Sequence, residues 1–367
     1  MRVTAGRPRF GDIVLLLGIC IALSQPAAGE DGPRNVILLI GDGMGVAHLT
    51  LGHLATGGMN AERMPVGGLV RTFPFGGMVT DSAASGTAMA TGHKTRNGMI
   101  SISPDGDTLR TVLEFAEERG MATGLVATSQ ITHATPAVFA AHVIDRGMEA
   151  EIARQMAGSG VDVLIGGGWS YFLPKGIAGS RRRDDLDLVG LLKKRMPVVS
   201  SVDGLFELQG VTSAAAFLAP LDCPPAKERA WSLAELTSSA VEILSSGGDG
   251  FFLMVEGSQI DWAAHDKDDD GILHEMKDFD GAVGIALDFA ERDGSTLVIM
   301  TSDHETGGFA LHEAPMHSGR MVDPAFTTDN HTMEMVPIFA YGPGAEAFGG
   351  IHDNTFIGVT LIGYLRK

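Results

Sequence analysis

Cysteine is scarce in this chain, with two residues in 367, and this excludes a disulfide scaffold. Cys20 lies in an apolar run near the N-terminus that we expect to be removed from the mature protein. Cys223 would then be the remaining thiol, so no intramolecular disulfide could form. We therefore expect Cys223 to be a small buried hydrophobic residue.

Basic residues are also few, with 27 Lys and Arg against 45 Asp and Glu and a formal net charge of -18. This balance argues against a dedicated nucleic-acid partner, because phosphate backbones attract clustered Lys and Arg. It does not exclude a small anionic substrate held by metal ions. The apolar fraction of 44% excludes a disordered chain. The length predicts one large α/β domain or two smaller ones.

The N-terminal apolar run, residues 13–23, is too short to cross a membrane as a helix. Three arginines precede it and small residues follow it, which is the pattern of a secretory signal peptide. The isoleucine before Cys20 makes a poor context for lipid attachment. We predict a signal peptide over residues 1–29, with a cut after Ser24 as the alternative. The mature protein would be periplasmic or secreted, without a stable membrane anchor.

Apolar runs with strand character alternate with helical patterns along the rest of the chain. The predicted strands are 35–40, 123–128, 161–165, 251–255, 296–300 and 336–340. The predicted helices are 108–119, 149–157, 233–244, 271–291 and 354–365. This alternation predicts an α/β fold whose mostly parallel central sheet is flanked by helices on both faces. We expect one domain over residues 30–367, with a small cap insertion at about 172–229 whose basic run 181–183 is solvated.

Acidic and histidine side chains recur directly after the predicted strands, where parallel sheets place their sites. Asp42 follows the first strand, Glu256 the fourth, and Asp303 and His304 the fifth. Glu256 ends a buried run, where an unpaired carboxylate would be costly to desolvate, so a cation partner is favoured. The alternatives are a turn residue for Asp42 and a loop cap for Asp303.

Four further residues complete a candidate set of metal ligands. Asp261 and His265 stand four apart, so a helical turn would place both on one face. The alternative is a helix cap with a surface histidine. His331 stands alone and Thr135 offers only a hydroxyl, so each has a structural alternative. The set combines carboxylates and imidazoles without a thiolate, which suits zinc together with a harder cation such as magnesium.

A serine within a run of small residues is the candidate nucleophile. Ser82 at a helix start would meet backbone N–H groups that favour an anion, and a metal ion could activate it as an alkoxide. Otherwise Ser82 is an N-cap. The GxSxG elbow of serine hydrolases is absent. Arg146 could clamp two phosphate oxygens, the alternative being a surface ion pair with Asp145 or Glu149.

Five motifs in the chain closely resemble those of the alkaline phosphatases. They are GDGMG at 41–45, VTDSAASGTA at 79–88, VEGSQIDWAAH at 255–265, TSDHETGG at 301–308 and DNHT at 329–332. The resemblance runs from residue 35 to about 354 and is weakest over 172–229. It implies an alkaline-phosphatase-like fold. It also implies a homodimer, although the chain is compact for the family and lacks the disulfides of several secreted members.

The resemblance implies a site for two zinc ions and a third metal, which is magnesium in the family. The zinc ligands would be Asp261, His265 and His331 for one ion, and Asp42, Asp303 and His304 for the other. The ligands of the third metal would be Asp42, Glu256 and Thr135.

The resemblance also implies roles at the substrate. Ser82 would be the nucleophile, transiently phosphorylated, and Arg146 the phosphate-binding arginine. His133 and Trp262 would be substrate-binding residues at positions where family members differ, and both would tune phosphate release and the third metal. Core packing is the alternative for Trp262.

These features together predict an exported phosphomonoester hydrolase that acts on small-molecule phosphate monoesters through a phosphoserine intermediate. The nearest alternative is a phosphodiesterase or related esterase on the same two-metal scaffold. A sulfatase is disfavoured, because the nucleophile position carries serine without the cysteine-based motif of those enzymes. An alternative of another class is a secreted protein that binds phosphate or zinc without turnover.

Overall fold

The structure, a computed structural model, describes residues 32–314 and 322–366. The predicted signal peptide and Cys20 lie outside these residues. Within the described ranges, no helix combines the length and the apolar character that a membrane crossing requires.

Strands and helices alternate along the described chain. The strands are β1 Asn35–Gly41, β2 Val66–Arg71, β3 Ala122–Gln130, β4 Val163–Gly167, β5 Val198–Val199, β6 Ala214–Phe217, β7 Phe251–Gly257, β8 Thr296–Thr301, β9 Phe309–Glu313, β10 Val322–Phe326, β11 Val336–Tyr341 and β12 Gly350–Asp353. The α-helices are α1 Val46–Thr56, α2 Ser82–Thr91, α3 Val112–Glu118, α4 Ala134–Ala140, α5 Glu149–Gly158, α6 Leu188–Leu192, α7 Val202–Phe206, α8 Leu233–Ser245, α9 Gln259–His265, α10 Asp269–Asp293 and α11 Thr355–Leu365.

Ten of these strands form one central sheet in the order β12-β2-β11-β8-β1-β7-β3-β4-β6-β5. Neighbouring strands are parallel except at β11, which runs antiparallel to both β2 and β8. Strands β9 and β10 form a separate antiparallel pair. The predicted mostly parallel sheet is therefore confirmed, and all six predicted strands lie in it.

Apolar side chains on both faces of the sheet hold the helices against it. Strand β1 is buried throughout, as expected for a central parallel strand covered on two sides. Val36, Leu38 and Ile40 point into one apolar cluster, and Ile37 and Leu39 into the other. The first cluster includes residues of α2 to α5 and α11, and the second includes residues of α1, α8 and α10.

The segment 172–229 contributes β5 and β6 to one edge of the sheet. The expectation of a solvated basic run is wrong for Arg182, whose side chain is 1% exposed. Its guanidinium donates to Asp184 and to the carbonyl oxygens of Ala150 and Tyr171, so burial is compensated by hydrogen bonds. Cys223 is buried, as predicted.

Candidate metal centre

Three neighbouring strands bring the predicted carboxylates to one edge of the sheet. Strand β1 lies between β7 and β8, and Ile40 is paired with Glu256 on one side and Thr301 on the other. Asp42 directly follows β1 and Asp303 lies two residues beyond Thr301. The parallel register therefore places Asp42, Glu256 and Asp303 side by side, as expected for the carboxyl ends of parallel strands.

The first group of candidate ligands is Asp42, Asp303 and His304, all buried. His304 Nε2 lies 3.4 Å from Asp42 Oδ1 and 3.3 Å from Asp303 Oδ2. Both carboxylate oxygens of Asp42, and Oδ2 of Asp303, are buried without a hydrogen-bond partner. Buried carboxylate oxygens require a partner, and a divalent cation between these three side chains would supply it.

The second group brings ligand atoms of Asp261, His304 and His331 within 4.8 Å of one another, and the predicted ligand His265 adjoins this group through Asp261 on α9. Asp261 Oδ1 lies 3.3 Å from His265 Nε2 and 3.5 Å from His331 Nε2. Each imidazole uses Nδ1 for a backbone oxygen, His265 that of Asp329 at 2.6 Å and His331 that of Thr80 at 2.8 Å. These bonds orient both rings and leave Nε2 facing the carboxylate, an arrangement typical of metal-binding histidines.

The third group lies on the other side of Asp42. It includes one ligand atom each from Asp42, Glu256 and His133, and these atoms all lie within 4.8 Å of one another. The hydroxyl oxygen of Thr135, on α4, is buried without a partner, and so is Oε1 of Glu256. The structure thus brings Asp42, Glu256 and Thr135 into the neighbourhood of His133, which the family resemblance had associated with phosphate and with the third metal.

Burial and mutual repulsion shift the pKa values of Asp42 and Glu256 upward. The pKa of Asp42 is raised well above its ordinary value by burial and then by Asp303, Asp261 and Glu256. Burial also raises the pKa of Glu256 to about 7. Asp261 differs, because a hydrogen bond from His265 and nearby imidazoles outweigh burial and lower its pKa. A cation would relieve the repulsion between these groups.

Ser82 and Arg146 lie beside the candidate ligands. Ser82 Oγ is 3.5 Å from His304 Nε2. Ser82 is the first residue of α2, and Asp81 is the N-cap, accepting from the N–H of Ala84 at 2.9 Å. The N-cap alternative for Ser82 is therefore wrong.

The carboxylate partner of Arg146 is Asp81, at 3.3 Å, rather than either of the two acidic residues near it in sequence. The other terminal guanidinium nitrogen of Arg146 donates to His133 Nε2 at 2.9 Å. The pKa of His133 is lowered to about 3 by burial and by Arg146, so this imidazole is neutral. The His133 ring packs edge-on against Trp262, with centroids 6.0 Å apart.

Two residues of the site, Thr306 and Asp81, were not identified as functional from the sequence. Thr306 donates a hydrogen bond to Asp261 Oδ1, and its hydroxyl lies 3.2 Å from His304 Nδ1. Asp81 joins α2 to Arg146. Both stand within the motifs TSDHETGG and VTDSAASGTA, and this is the signal that could have found them.

The family model described as alkaline phosphatase matches residues 33–323, which are most of the chain. The chain belongs to the alkaline phosphatase family. It is therefore a phosphomonoesterase that depends on bound metal ions, and the clusters above are its candidate metal sites.

Similar proteins agree with this assignment over nearly the whole chain. Alkaline phosphatase 4 of Bacillus subtilis is 34% identical, over 88% of this chain and 86% of its own. Streptomycin-6-phosphate phosphatase of Streptomyces griseus is 35% identical, over 97% of each. The solved alkaline phosphatase of the Antarctic bacterium TAB5 has a TM-score of 0.85 and 37% identity, covering 91% of this chain and 99% of its own. A variant of the TAB5 enzyme in which a histidine is replaced by glutamate has been solved with magnesium bound in its M3 site.

Proposed function

We propose that the chain is an exported hydrolase that releases inorganic phosphate from small phosphate monoesters through a phosphoserine intermediate at a two-zinc and one-magnesium site. The observation that carries the proposal is the set of buried, unpartnered carboxylate oxygens of Asp42, Asp303 and Glu256, next to Ser82. Such oxygens are suited to cations, and the adjacent serine is suited to attack on an anion that the cations attract.

The chemistry of the donor sets supports this choice of metals. Asp261, His265 and His331, and separately Asp42, Asp303 and His304, combine imidazole with carboxylate, which suits zinc. Asp42, Glu256 and Thr135 offer oxygen donors, which suits magnesium. Bound at these sites, the ions would stabilise a serine alkoxide and the negative charge on the phosphoryl oxygens.

Ser82 is the nucleophile in this proposal. It stands at the N-terminus of a ten-residue buried helix, whose backbone N–H groups favour negative charge. Its oxygen bonds to phosphorus while the bond from phosphorus to the leaving oxygen breaks, and the leaving alcohol takes up a proton. Water then attacks the phosphoserine, restoring the Ser82 hydroxyl and releasing inorganic phosphate.

Arg146 orients the phosphoryl group. Its guanidinium is hydrogen-bonded to Asp81 and His133, so the group is held in position before the substrate binds. A group that engages two non-bridging oxygens favours a dianionic monoester over a diester. Because Arg146, Ser82 and the metals would all contact the phosphoryl group, these groups by themselves would discriminate little between alcohols.

Export rests on the N-terminal pattern at residues 1–29. Sequencing the N-terminus of protein recovered outside the cytoplasm tests this part. We expect it to begin at Glu30 or Gln25, and an intact Met1 would contradict it.

Trapping the intermediate tests the mechanism. The enzyme is mixed with an aryl phosphate, quenched in acid, and searched by mass spectrometry for a phosphoryl group on the peptide that contains Ser82. Ser82→Ala should carry no such group and should lose on the order of a thousandfold in kcat. Ser85→Ala, on the same helix, is the matched control and should still form the intermediate. Full turnover by Ser82→Ala would overturn the proposal.

A further inference from the structure

Large apolar side chains are exposed around the candidate site, where a polar surface would be expected. We call five of them the apolar rim. They are Met78, Val79, Ile144, Met148 and Met333. Met78, Ile144 and Met333 are 68%, 65% and 62% exposed. Exposed apolar groups gathered in one place indicate a binding surface, whereas single ones need no explanation.

Hydrogen bonds tie together the three loops that carry the rim. His331 Nδ1 donates to the backbone oxygen of Thr80 at 2.8 Å, and Arg146 donates to Asp81 at 3.3 Å. Each rim residue stands within two positions of one of these four residues in the sequence. The rim residues therefore lie on loops that border the candidate phosphoryl site.

The phosphoryl site and the apolar rim would contact chemically different parts of a substrate. Arg146 and Ser82 would hold the phosphoryl group of a monoester, so its organic group must lie over the loops around them. Three of the five rim residues are methionines, whose flexible side chains adapt to apolar groups of varied shape.

We propose that the apolar rim binds the organic group of the substrate, so that the enzyme prefers phosphate monoesters of alkyl or aryl alcohols to those of small or polar alcohols. This inference rests on the proposed function. The contacts are made equally before and during phosphoryl transfer, so they lower KM and leave kcat nearly unchanged.

The test compares ethyl phosphate with n-hexyl phosphate, whose leaving alcohols have similar acidity. We expect KM for the hexyl ester to be about tenfold lower, because an open rim buries the four additional methylenes only in part. In the triple variant Met78→Ser, Ile144→Ser and Met333→Ser, the ratio of the two KM values should fall below about twofold.

The matched control replaces two exposed apolar residues away from these loops, Ile177→Ser and Ile351→Ser, and should keep the tenfold ratio. Thermal unfolding shows whether each variant is folded. Equal KM values in the parent enzyme would overturn the inference while leaving the proposed function intact, whereas failure to hydrolyse either ester would contradict the proposed function. Light scattering measures the oligomeric state of the parent enzyme and of each variant. If the triple variant changes only the oligomeric state, the surface is an interface between copies and the inference is wrong.

Discussion

Asp42 combines, in one residue, a structural cost with a functional capacity. Its carboxylate is fully buried, has no hydrogen-bond partner, and lies near other carboxyl groups. The free-energy cost of burying such a carboxylate has to be offset by a favourable interaction. A cation shared between neighbouring carboxylates would offset this cost for all of them at once. The same argument applied to Glu256 in the sequence, because its buried run made an unpaired charge costly.

His133 marks the limit of what single residues in the sequence could predict. The family resemblance associated it with phosphate and with the third metal, and the structure places it in a cluster with Asp42 and Glu256. No spacing rule connects positions 42, 133 and 256, because they meet only through the register of β1, β7 and β3. Asp261 and His265 could be grouped from the sequence, because four residues make one helical turn.

A histidine away from the site gives a prediction about pH. Burial lowers the pKa of His142, but hydrogen bonds to Glu114 at 3.1 Å and to the Ser101 carbonyl at 3.0 Å outweigh it, so the pKa lies above 6.5. A raised pKa stabilises the folded state fully below the unfolded value, and this stability is lost as pH rises through the folded value. The pKa of Glu114 is lowered, so it is still ionised at mildly acidic pH.

His142→Gln should therefore lower the free energy of unfolding by about 1 kcal/mol near pH 5.5 and by less near pH 9. Urea unfolding of both metal-loaded proteins at the two pH values measures this, and subtracting variant from parent removes the contribution of the metal centre. An equal loss at both pH values would show that the imidazolium is not the stabilising species.

At the scale of elements, the sheet was predictable where strands are buried on both faces. Strands β1, β7 and β8 are mostly apolar runs and β3 is a buried stretch, and each was expected within a few residues. Strand β2 was missed because its sequence, VGGLVR, contains two glycines and is only partly buried. Gly68 is required there, because a side chain would meet the Gly350 carbonyl of β12 at 2.3 Å. That contact exists only in the folded sheet.

Helix α2, which carries the proposed nucleophile Ser82, packs closely against α11. A Cβ on Gly358 of α11 would lie 2.3 Å from the backbone nitrogen of Gly92 and 2.8 Å from the carbonyl oxygen of Met89. Asn354 Nδ2, directly before α11, donates to Ser85 Oγ on α2 at 2.9 Å. The C-terminal helix thus supports the element that presents Ser82.

Two glycines of α11 provide a matched pair of variants. Gly358→Ala should lower the free energy of unfolding by about 3 kcal/mol, because backbone atoms would have to move. Gly363→Ala, on the same helix with open space around it, should raise it by about 0.5 kcal/mol through helix propensity. Thermal or urea unfolding measures both. Equal stabilities would contradict the close contact between α2 and α11.

At the scale of the whole molecule, the fold class could be predicted because strand and helix patterns alternate and the parallel sheet follows from that alternation. The strand order could not, since β11 and β2 enter the sheet far from their neighbours in the chain. The position of the site followed from a general property of parallel sheets, which collect loops from distant segments at their carboxyl edge. This explains why the motifs are scattered over most of the sequence.

The metal centre links stability and activity across the molecule. Removing the cations would leave several buried carboxyl groups facing one another, so the chelated protein should also unfold more easily. Activity therefore has to be measured under conditions in which the chelated protein is still folded, as shown by its circular dichroism.

The most direct measurement is the initial rate of the purified mature protein on an aryl phosphate at mildly alkaline pH. It is taken before chelation, after chelation, and after return of zinc, magnesium or both, with the bound metal determined by elemental analysis. We predict that chelation abolishes turnover and that zinc with magnesium restores it most fully. Undiminished turnover by protein shown to be free of metal would contradict the account, and so would no turnover by folded protein loaded with both metals.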